Sequence, residues 1–203
     1  MNTVGLVAFA LVGATKAIRE EFDLFGVTTV GLATAFAGGA LRDVLVGRVP
    51  LALQSFDEVA LGLLGVALAV GVGVVRDDAD DHPLTSVADA VGLAAFATAG
   101  AIVATDHGLA AFGVVAVATI NAVGGGVVAD LLLDRAPFVL FEDFYASPAV
   151  LGGVAYVAVT AVGAPARAAA IGCAGVVVLA RIGALTYGWE MPAVRTVVRN
   201  GRP

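Results

Sequence analysis

The sequence has few charged residues, a single lysine and a single cysteine. Only 14% of its 203 residues are charged, 60% are hydrophobic, and the mean hydropathy is +0.97. Soluble domains have about 25% charged residues, so this composition excludes an ordinary soluble domain, and it also excludes a disordered chain. Cys173 has no second cysteine with which to form an intramolecular disulfide. A polytopic helical membrane protein remains, and its 26 glycines allow close helix packing.

The sequence also lacks the residue patterns of enzymes and nucleic-acid-binding proteins. Its 11 basic residues are outnumbered by 17 acidic ones and form no clustered basic face of the kind that nucleic acids require. Neither His82 nor His107 has a second ligand at metal-binding spacing. No Ser/His or Cys/His pair with the arrangement of a nucleophile and its base is apparent. We therefore expect no catalytic residues, no resident metal or cofactor and no nucleic-acid partner.

Seven apolar segments predict an all-α membrane protein with seven transmembrane helices in one domain, residues 1–203. A spanning helix needs about 20 mainly apolar residues, and these runs are too long and too rich in alanine for barrel strands. We expect the first segment to remain as a spanning helix, because no basic region precedes it and no convincing cleavage site follows it. The segments are Thr3–Ile18, Val27–Val46, Val59–Val75, Val87–Thr105, Leu109–Leu133, Ala149–Val162 and Ala166–Tyr187.

The distribution of lysine and arginine predicts how the chain is oriented in the membrane. Basic residues near the ends of spans accumulate on the cytoplasmic side. One side has only Arg48 and Arg167, whereas the other has Lys16, Arg19, Arg76, Arg135, Arg195, Arg199 and Arg202. The sequence thus predicts a multi-pass protein of the cell membrane with its N-terminus outside and its C-terminus in the cytoplasm.

An internal repeat appears when the sequence is shifted by 87 residues without a gap. About 19 of 46 positions agree between residues 5–50 and 92–137, among them Asp43 with Asp130. Each copy holds three spans, and because three is odd the second copy must enter the membrane from the opposite side. We therefore predict two inverted three-helix repeats, about residues 3–76 and 87–163, with a seventh helix at about 166–188. Such duplications place transport pathways at the repeat interface.

Consecutive glycines lie at equivalent places in the second and fifth spans, at Gly38 and Gly39 and at Gly124, Gly125 and Gly126. Each glycine weakens a helix by about 1 kcal/mol relative to alanine and allows a kink or an unwound turn. Backbone groups freed in lipid need protein or water as partners, so such a break predicts a buried or water-lined path. Close helix packing through small residues is the alternative. The occurrence of glycines followed by Asp in both repeats favours the break.

Three ionisable residues, Arg42, Asp43 and Asp130, lie inside or at the end of apolar spans. Such residues are costly in a bilayer unless they face a cavity or an opposite charge. A structural ion pair between Arg42 and Asp130 across the repeat interface and a role in a pore are equally open. Their charges sum to −1, which would favour a cation in a narrow pathway.

Three further polar residues accompany these charges. Thr34 and Asn121 are equivalent under the 87-residue shift and precede the glycines by one helical turn. Both could offer oxygens to a dehydrating ion or form interhelical hydrogen bonds. Lys16 ends the first span, where it could extend to the membrane interface or bind a lipid phosphate; we favour the interface.

The motif Asp-Leu-Phe-Gly at 23–26 is followed by Gly-Gly-Ala-Leu-Arg-Asp at 38–43, and these elements are echoed around Phe112, Gly124–Gly126 and Asp130. Arg48 and Pro50 likewise have counterparts in Arg135 and Pro137, and Phe144-Tyr145-Ala146 and Trp189-Glu190-Met191-Pro192 complete the pattern. This pattern resembles the prokaryotic trimeric intracellular cation channel (TRIC) family over nearly the whole chain.

The resemblance implies a homotrimer in a lipid membrane, in which each seven-helix protomer has its own pore for monovalent cations, mainly potassium. The pore would run past kinks at Gly38, Gly39 and Gly124–Gly126, with Arg42, Asp43 and Asp130 as charged groups. Two positions depart from the family pattern: Ala37 replaces a usual glycine and Ala129 replaces a frequent arginine. Related sequences are also described as carriers of glycine, so a secondary transporter of a small zwitterion is the alternative. Potassium and bound lipid are the ligands implied.

Overall fold

The computed structural model describes residues 2–75, 83–141, 144–187 and 189. In these residues the chain forms seven α-helices and no strands. Several residues of the sequence analysis lie outside this part: Arg76, the acidic run at 77–81, His82, Glu190-Met191-Pro192, Arg195, Arg199 and Arg202. The helices are α1 (Asn2–Arg19), α2 (Leu24–Leu45), α3 (Phe56–Val75), α4 (Pro83–Asp106), α5 (Ala111–Leu132), α6 (Ala146–Ala161) and α7 (Ala166–Tyr187).

The seven helices match the seven predicted spans to within a few residues at most ends. Five of them, α2, α3, α4, α5 and α7, are long and apolar enough to cross a membrane. Helix α6 is apolar but shorter, with 16 residues, and α1 has the basic residues Lys16 and Arg19 in its last turn. The predicted all-α membrane fold is confirmed.

The duplication is visible in the bounds of the helices. Helix α5 begins and ends 87 residues after α2, and α4 ends 87 residues after α1. A short 3-10 helix follows α2 at Leu51–Leu53, and another follows α5 at the same offset, at Phe138–Leu140. Equivalent stretches of sequence therefore adopt equivalent local structure.

Helices α2 and α5 pack against each other through reciprocal contacts. A Cβ atom added to Gly38 would collide with the carbonyl oxygen of Asn121, and one added to Gly125 would collide with that of Thr34. The two contacts are equivalent under the 87-residue shift, because Gly38 corresponds to Gly125 and Thr34 corresponds to Asn121. Residue numbers rise along one helix as they fall along the other, so the helices are antiparallel. The predicted inversion of the two repeats is confirmed.

Helices α1 and α4 form a second reciprocal contact. The rings of Phe9 and Phe96 meet edge to face with their centroids 4.9 Å apart, and both residues are buried. Phe9 packs against Gly92, and its equivalent Phe96 packs against Gly5. The aromatic pair therefore lies at the pseudo-two-fold axis. Helix α7, which carries the buried Cys173, packs outside this symmetric centre against α4 and α6.

Candidate functional site at the interface of the two repeats

The predicted glycines lie where α2 and α5 touch, and not at a break. Both helices continue without interruption through Gly38, Gly39 and Gly124–Gly126. The predicted unwound turn is therefore wrong, and the alternative of close packing through small residues accounts for Gly38 and Gly125. A bend within a continuous helix stays a prediction. The physical reason is the approach of a carbonyl oxygen from the opposite helix, which leaves no room for a side chain.

Thr34 and Asn121 meet this helix contact with different hydrogen bonds. The Thr34 hydroxyl donates to the carbonyl oxygen of Val30 at 2.6 Å, within its own helix. The Asn121 amide nitrogen donates to the carbonyl oxygen of Phe96 on α4 at 2.5 Å. The Asn121 side-chain oxygen is buried and has no hydrogen-bond partner. A role for either side-chain oxygen in binding a cation stays a prediction.

Asp43 and Asp130 have the same structural task in their repeats. One oxygen of Asp43 accepts a hydrogen bond from the backbone nitrogen of Leu51, and one of Asp130 accepts from that of Phe138, each at 2.9 Å. Each carboxylate thus anchors the 3-10 helix that follows its own α-helix. Both residues are buried, as expected for charges that are hydrogen-bonded and paired.

The cations that neutralise the two carboxylates differ. Asp43 binds Arg42 Nε at 2.8 Å and Arg48 Nε at 3.1 Å, both from its own repeat. Asp130 binds Lys16 Nζ at 2.8 Å, from the other repeat. The predicted pair between Arg42 and Asp130 is therefore wrong, because Arg42 binds the neighbouring carboxylate.

Lys16 takes the place of the arginine that is missing from the second repeat. The position equivalent to Arg42 is Ala129, and the charge opposite Asp130 comes instead from α1. Our preference for Lys16 extending to the membrane interface is wrong, because its ammonium group binds Asp130 and lies 4.6 Å from the centroid of the Phe138 ring. The side chain keeps 22% of its surface exposed.

Three cavities lie along the repeat interface. Cavity A has a volume of about 340 Å³, and its charged lining residues are Lys16, Arg19, Asp89, Asp130, Arg135 and Arg181. Cavities B and C are much smaller, with about 10 Å³ each, which is about the room for one water molecule. Cavity A shares Val12, Lys16, Asp89 and Phe138 with cavity B, and we call this shared passage the neck.

Cavities B and C are related by the pseudo-two-fold axis. Phe9, Gly126, Phe138 and Tyr145 line cavity B, and their equivalents Phe96, Gly39, Leu51 and Glu58 line cavity C. Phe9 and Phe96 touch each other, so their rings form a wall between the two cavities. We call this pair the aromatic wall. The arrangement consists of two equivalent cavities, separated at the centre of the repeat interface by two apolar rings.

The comparisons with known proteins agree with this geometry. The profile of a family described as "Glycine transporter" matches residues 1–73 and 86–161. A solved structure from a study of conductance through TRIC cation channels is 34% identical, with a TM-score of 0.85, and covers 95% of this chain and 94% of that one. The chain belongs to the TRIC family. A TRIC trimeric intracellular cation channel orthologue from Rhodobacter sphaeroides is 32% identical, with a TM-score of 0.81 and coverage of 92% and 96%.

A curated relative extends the comparison. A UPF0126 membrane protein from Deinococcus radiodurans is 39% identical over 155 residues, which cover 75% of this chain and 71% of that one. The TRIC resemblance inferred from the duplicated motifs is therefore confirmed. The solved relatives are described as TRIC cation channels and the curated one as a membrane protein, in keeping with the expectation that this chain is not an enzyme.

In this TRIC protein, a buried cluster beside cavity A was missed by the sequence analysis. The Tyr145 hydroxyl donates to Asp89 at 2.8 Å, and Arg181 from α7 lies 3.5 Å from the same carboxylate and 4.6 Å from the Tyr145 ring centroid. Burial raises the pKa of the Tyr145 phenol well above its usual range, and the Asp89 charge raises it further, so the hydroxyl stays a donor. The available signal was Arg181 itself, an ionisable residue within an apolar span.

The charged lining of cavity A includes residues outside the two glycine motifs. Four basic residues and two acidic residues line it, whereas Arg42, Asp43 and Asp130 alone sum to −1. The difference arises because Lys16 and Arg181 come from helices that lie outside the two glycine motifs.

Proposed function

We propose that this protein is a channel for monovalent cations, mainly potassium, with one pore in each protomer. The observation that carries the proposal is the pair of equivalent cavities on either side of the aromatic wall, at the contact of two inverted repeats. Pathways of inverted-repeat transport proteins lie at such interfaces, near the middle of the membrane. Similarity to solved TRIC cation channels supports the same conclusion.

The geometry suggests how an ion would pass. Rings that meet at the centre of a path close it to water, because hydrophobic constrictions gate by dewetting. A cation would enter cavity A, cross the neck to cavity B, and reach cavity C when Phe9 and Phe96 separate. The hydroxyl oxygen of Thr34, which lines cavity B, would replace part of the hydration shell there. Side-chain oxygen takes over the role that the sequence analysis gave to freed backbone carbonyls.

We expect purified protein in proteoliposomes to conduct potassium. The measurement is potassium flux down a gradient, together with single-channel recording in planar bilayers, and a channel gives stepwise currents. Sodium and glycine added at equal concentration test selectivity. Protein-free liposomes serve as the control, and the Asp130→Asn variant should alter the flux or the preference among cations. Flat potassium flux from folded wild-type protein would contradict the proposal.

We further propose a homotrimer in the cell membrane with the N-terminus outside. The R. sphaeroides relative is a trimeric channel, and the monomer here leaves apolar side chains available for contacts with lipid or another copy. Phe25 and Phe112, at equivalent positions near the starts of α2 and α5, are 80% and 85% exposed. Bound membrane lipid would cover the exposed apolar side chains that do not contact another protomer.

The trimer predicts a specific mass. Light scattering of the detergent-solubilised protein, corrected for bound detergent, should give about three times the protomer mass of 20.1 kDa. Limited crosslinking should give bands up to a trimer and no larger closed species. A species of one protomer mass under mild detergent conditions would rule out the trimer.

A carrier of a small zwitterion such as glycine is the second candidate. It is supported by the description of the matching family and by cavity A, where one buried oxygen of Asp89 and the Nε atom of Arg181 have no hydrogen-bond partner. An ammonium and a carboxylate group on one small molecule would satisfy both atoms. Saturable glycine uptake without unitary currents would select this function over the channel.

A further inference from the structure

We propose that the Asp130 carboxylate and the Phe138 ring form a binding site for a monovalent cation at the neck, and that the Lys16 ammonium group occupies this site until a permeating cation displaces it. The proposal rests on the proposed channel function for the direction of ion movement. To that function it adds a specific cation site, and it identifies the Lys16 ammonium group as a part of the protein that competes with the permeating cation for this site. The site itself exists whether or not the wild-type protein conducts.

The Lys16 ammonium group contacts two groups that can each bind a cation. Lys16 Nζ lies 2.8 Å from one oxygen of Asp130 and 4.6 Å from the centroid of the Phe138 ring. A carboxylate oxygen and an aromatic face are both ligands for a compact cation of charge +1. Potassium and an ammonium group share that charge, so the same two groups can bind either one.

Contacts that do not involve Lys16 hold the site in place. The other oxygen of Asp130 accepts a hydrogen bond from the backbone nitrogen of Phe138 at 2.9 Å. One residue therefore fixes the carboxylate and also supplies the ring. The Asp130 side chain is only 4% exposed, so removal of Lys16 leaves a buried, oriented carboxylate without a cation.

Lys16 lies at the neck, and its side chain is partly exposed. It lines both cavity A and cavity B, so its head group stands in the passage between them. Its side chain is 22% exposed, and lysine is a point charge on a flexible four-carbon stem. The head group can therefore move into the water of cavity A without a shift of α1.

The equivalent carboxylate, Asp43, shows why a permeating cation could displace a basic side chain at the carboxylate of the second repeat only. Two guanidinium groups bind Asp43, and the Arg42 side chain is only 3% exposed. The position equivalent to Lys16 is Val103, which carries no charge. The symmetric path thus has a displaceable cation at the cavity A end and a fixed pair at the other.

The test uses Lys16→Met, which removes the charge and keeps much of the length. The thermal midpoint of the detergent-solubilised protein is measured in potassium chloride and in N-methyl-D-glucamine chloride of equal ionic strength. We expect the midpoint of Lys16→Met to rise with potassium, because a cation that binds only the folded state stabilises it. Wild type and the double variant Lys16→Met/Asp130→Asn should show no such difference. Potassium flux through Lys16→Met should exceed that of wild type several-fold.

Arg135→Gln is the matched control. It also removes one positive charge from the lining of cavity A, but Arg135 pairs with Glu20 and not with Asp130. It should show neither the potassium-dependent midpoint nor the rise in flux. Lys16→Arg keeps the charge and should behave like wild type in the thermal measurement.

The outcomes separate the two proposals. Equal midpoints of Lys16→Met in the two salts would overturn the cation site. A potassium-dependent midpoint with unchanged flux would overturn the placement of Lys16 in the conduction path. A potassium-dependent midpoint in a protein that carries no potassium current, wild type or variant, would keep the site and reject the channel function. If Lys16→Met does not fold, Lys16→Gln provides the same comparison.

Discussion

Replacing Phe9 or Phe96 with leucine is expected to raise potassium flux. The two rings form the aromatic wall between cavities B and C, and we expect their edge-to-face contact to be lost when the path opens. Such a contact contributes about 0.5–1.5 kcal/mol beyond burial, so its loss should shift the balance between closed and open states roughly two- to tenfold. Open probability in planar bilayers measures the effect directly.

The symmetry of the wall sharpens this prediction. Phe9 and Phe96 are equivalent in the two repeats and touch each other, so the two single variants should have similar effects. The double variant should add less than their sum, because the first substitution already removes the shared contact. Phe36→Leu is the matched control, since Phe36 lines cavity C but is not part of the wall. An unchanged open probability in both single variants would remove the wall from the gate.

The transmembrane helices and their duplication could be predicted from the sequence because they depend on local patterns. Apolar runs fix the helices, and the shared Asp, Arg and Pro positions fix the register between α2 and α5 to the residue. The parity of three spans then determines the inversion. Each of these steps depends on a pattern that can be read directly along the sequence.

The partners of the charged residues could not be predicted in the same way. Lys16 and Arg42 have long side chains, and each could reach more than one carboxylate once the helices pack. The choice between Asp43 and Asp130 depends on which helix ends meet, which the sequence does not encode locally. Arg181 lies on α7, outside the duplication, so no equivalent residue drew attention to it.

The glycine motifs were ambiguous for a physical reason. A glycine weakens a helix and also lets a second backbone approach, and both effects follow from its missing Cβ. The neighbouring helix decides which effect applies, and here α2 and α5 meet at Gly38 and Gly125. The two glycine motifs therefore marked where the repeats touch, while the conformation of the backbone there could not be predicted.

Gly38→Ala and Gly125→Ala are expected to destabilise the protein strongly. Each new methyl group would collide with a backbone carbonyl oxygen of the opposite helix, and backbone cannot move aside as the end of a side chain can. Overpacking of a tight interior costs about 1–3 kcal/mol, which lowers the thermal midpoint of a domain of this size by roughly 2–12 °C. Thermal unfolding of the detergent-solubilised protein, followed by its helical circular dichroism, measures the change.

The same chain offers matched controls, because Gly71 in α3 and Gly175 in α7 have nothing within 4 Å of an added Cβ. Alanine there should leave the midpoint unchanged or raise it slightly, since alanine is the better helix former by about 1 kcal/mol. A break in α2 and α5 at the glycines would predict the opposite order, with Gly38→Ala stabilising the helix as Gly71→Ala does. The sign of the Gly38→Ala effect therefore distinguishes close helix contact from an unwound turn.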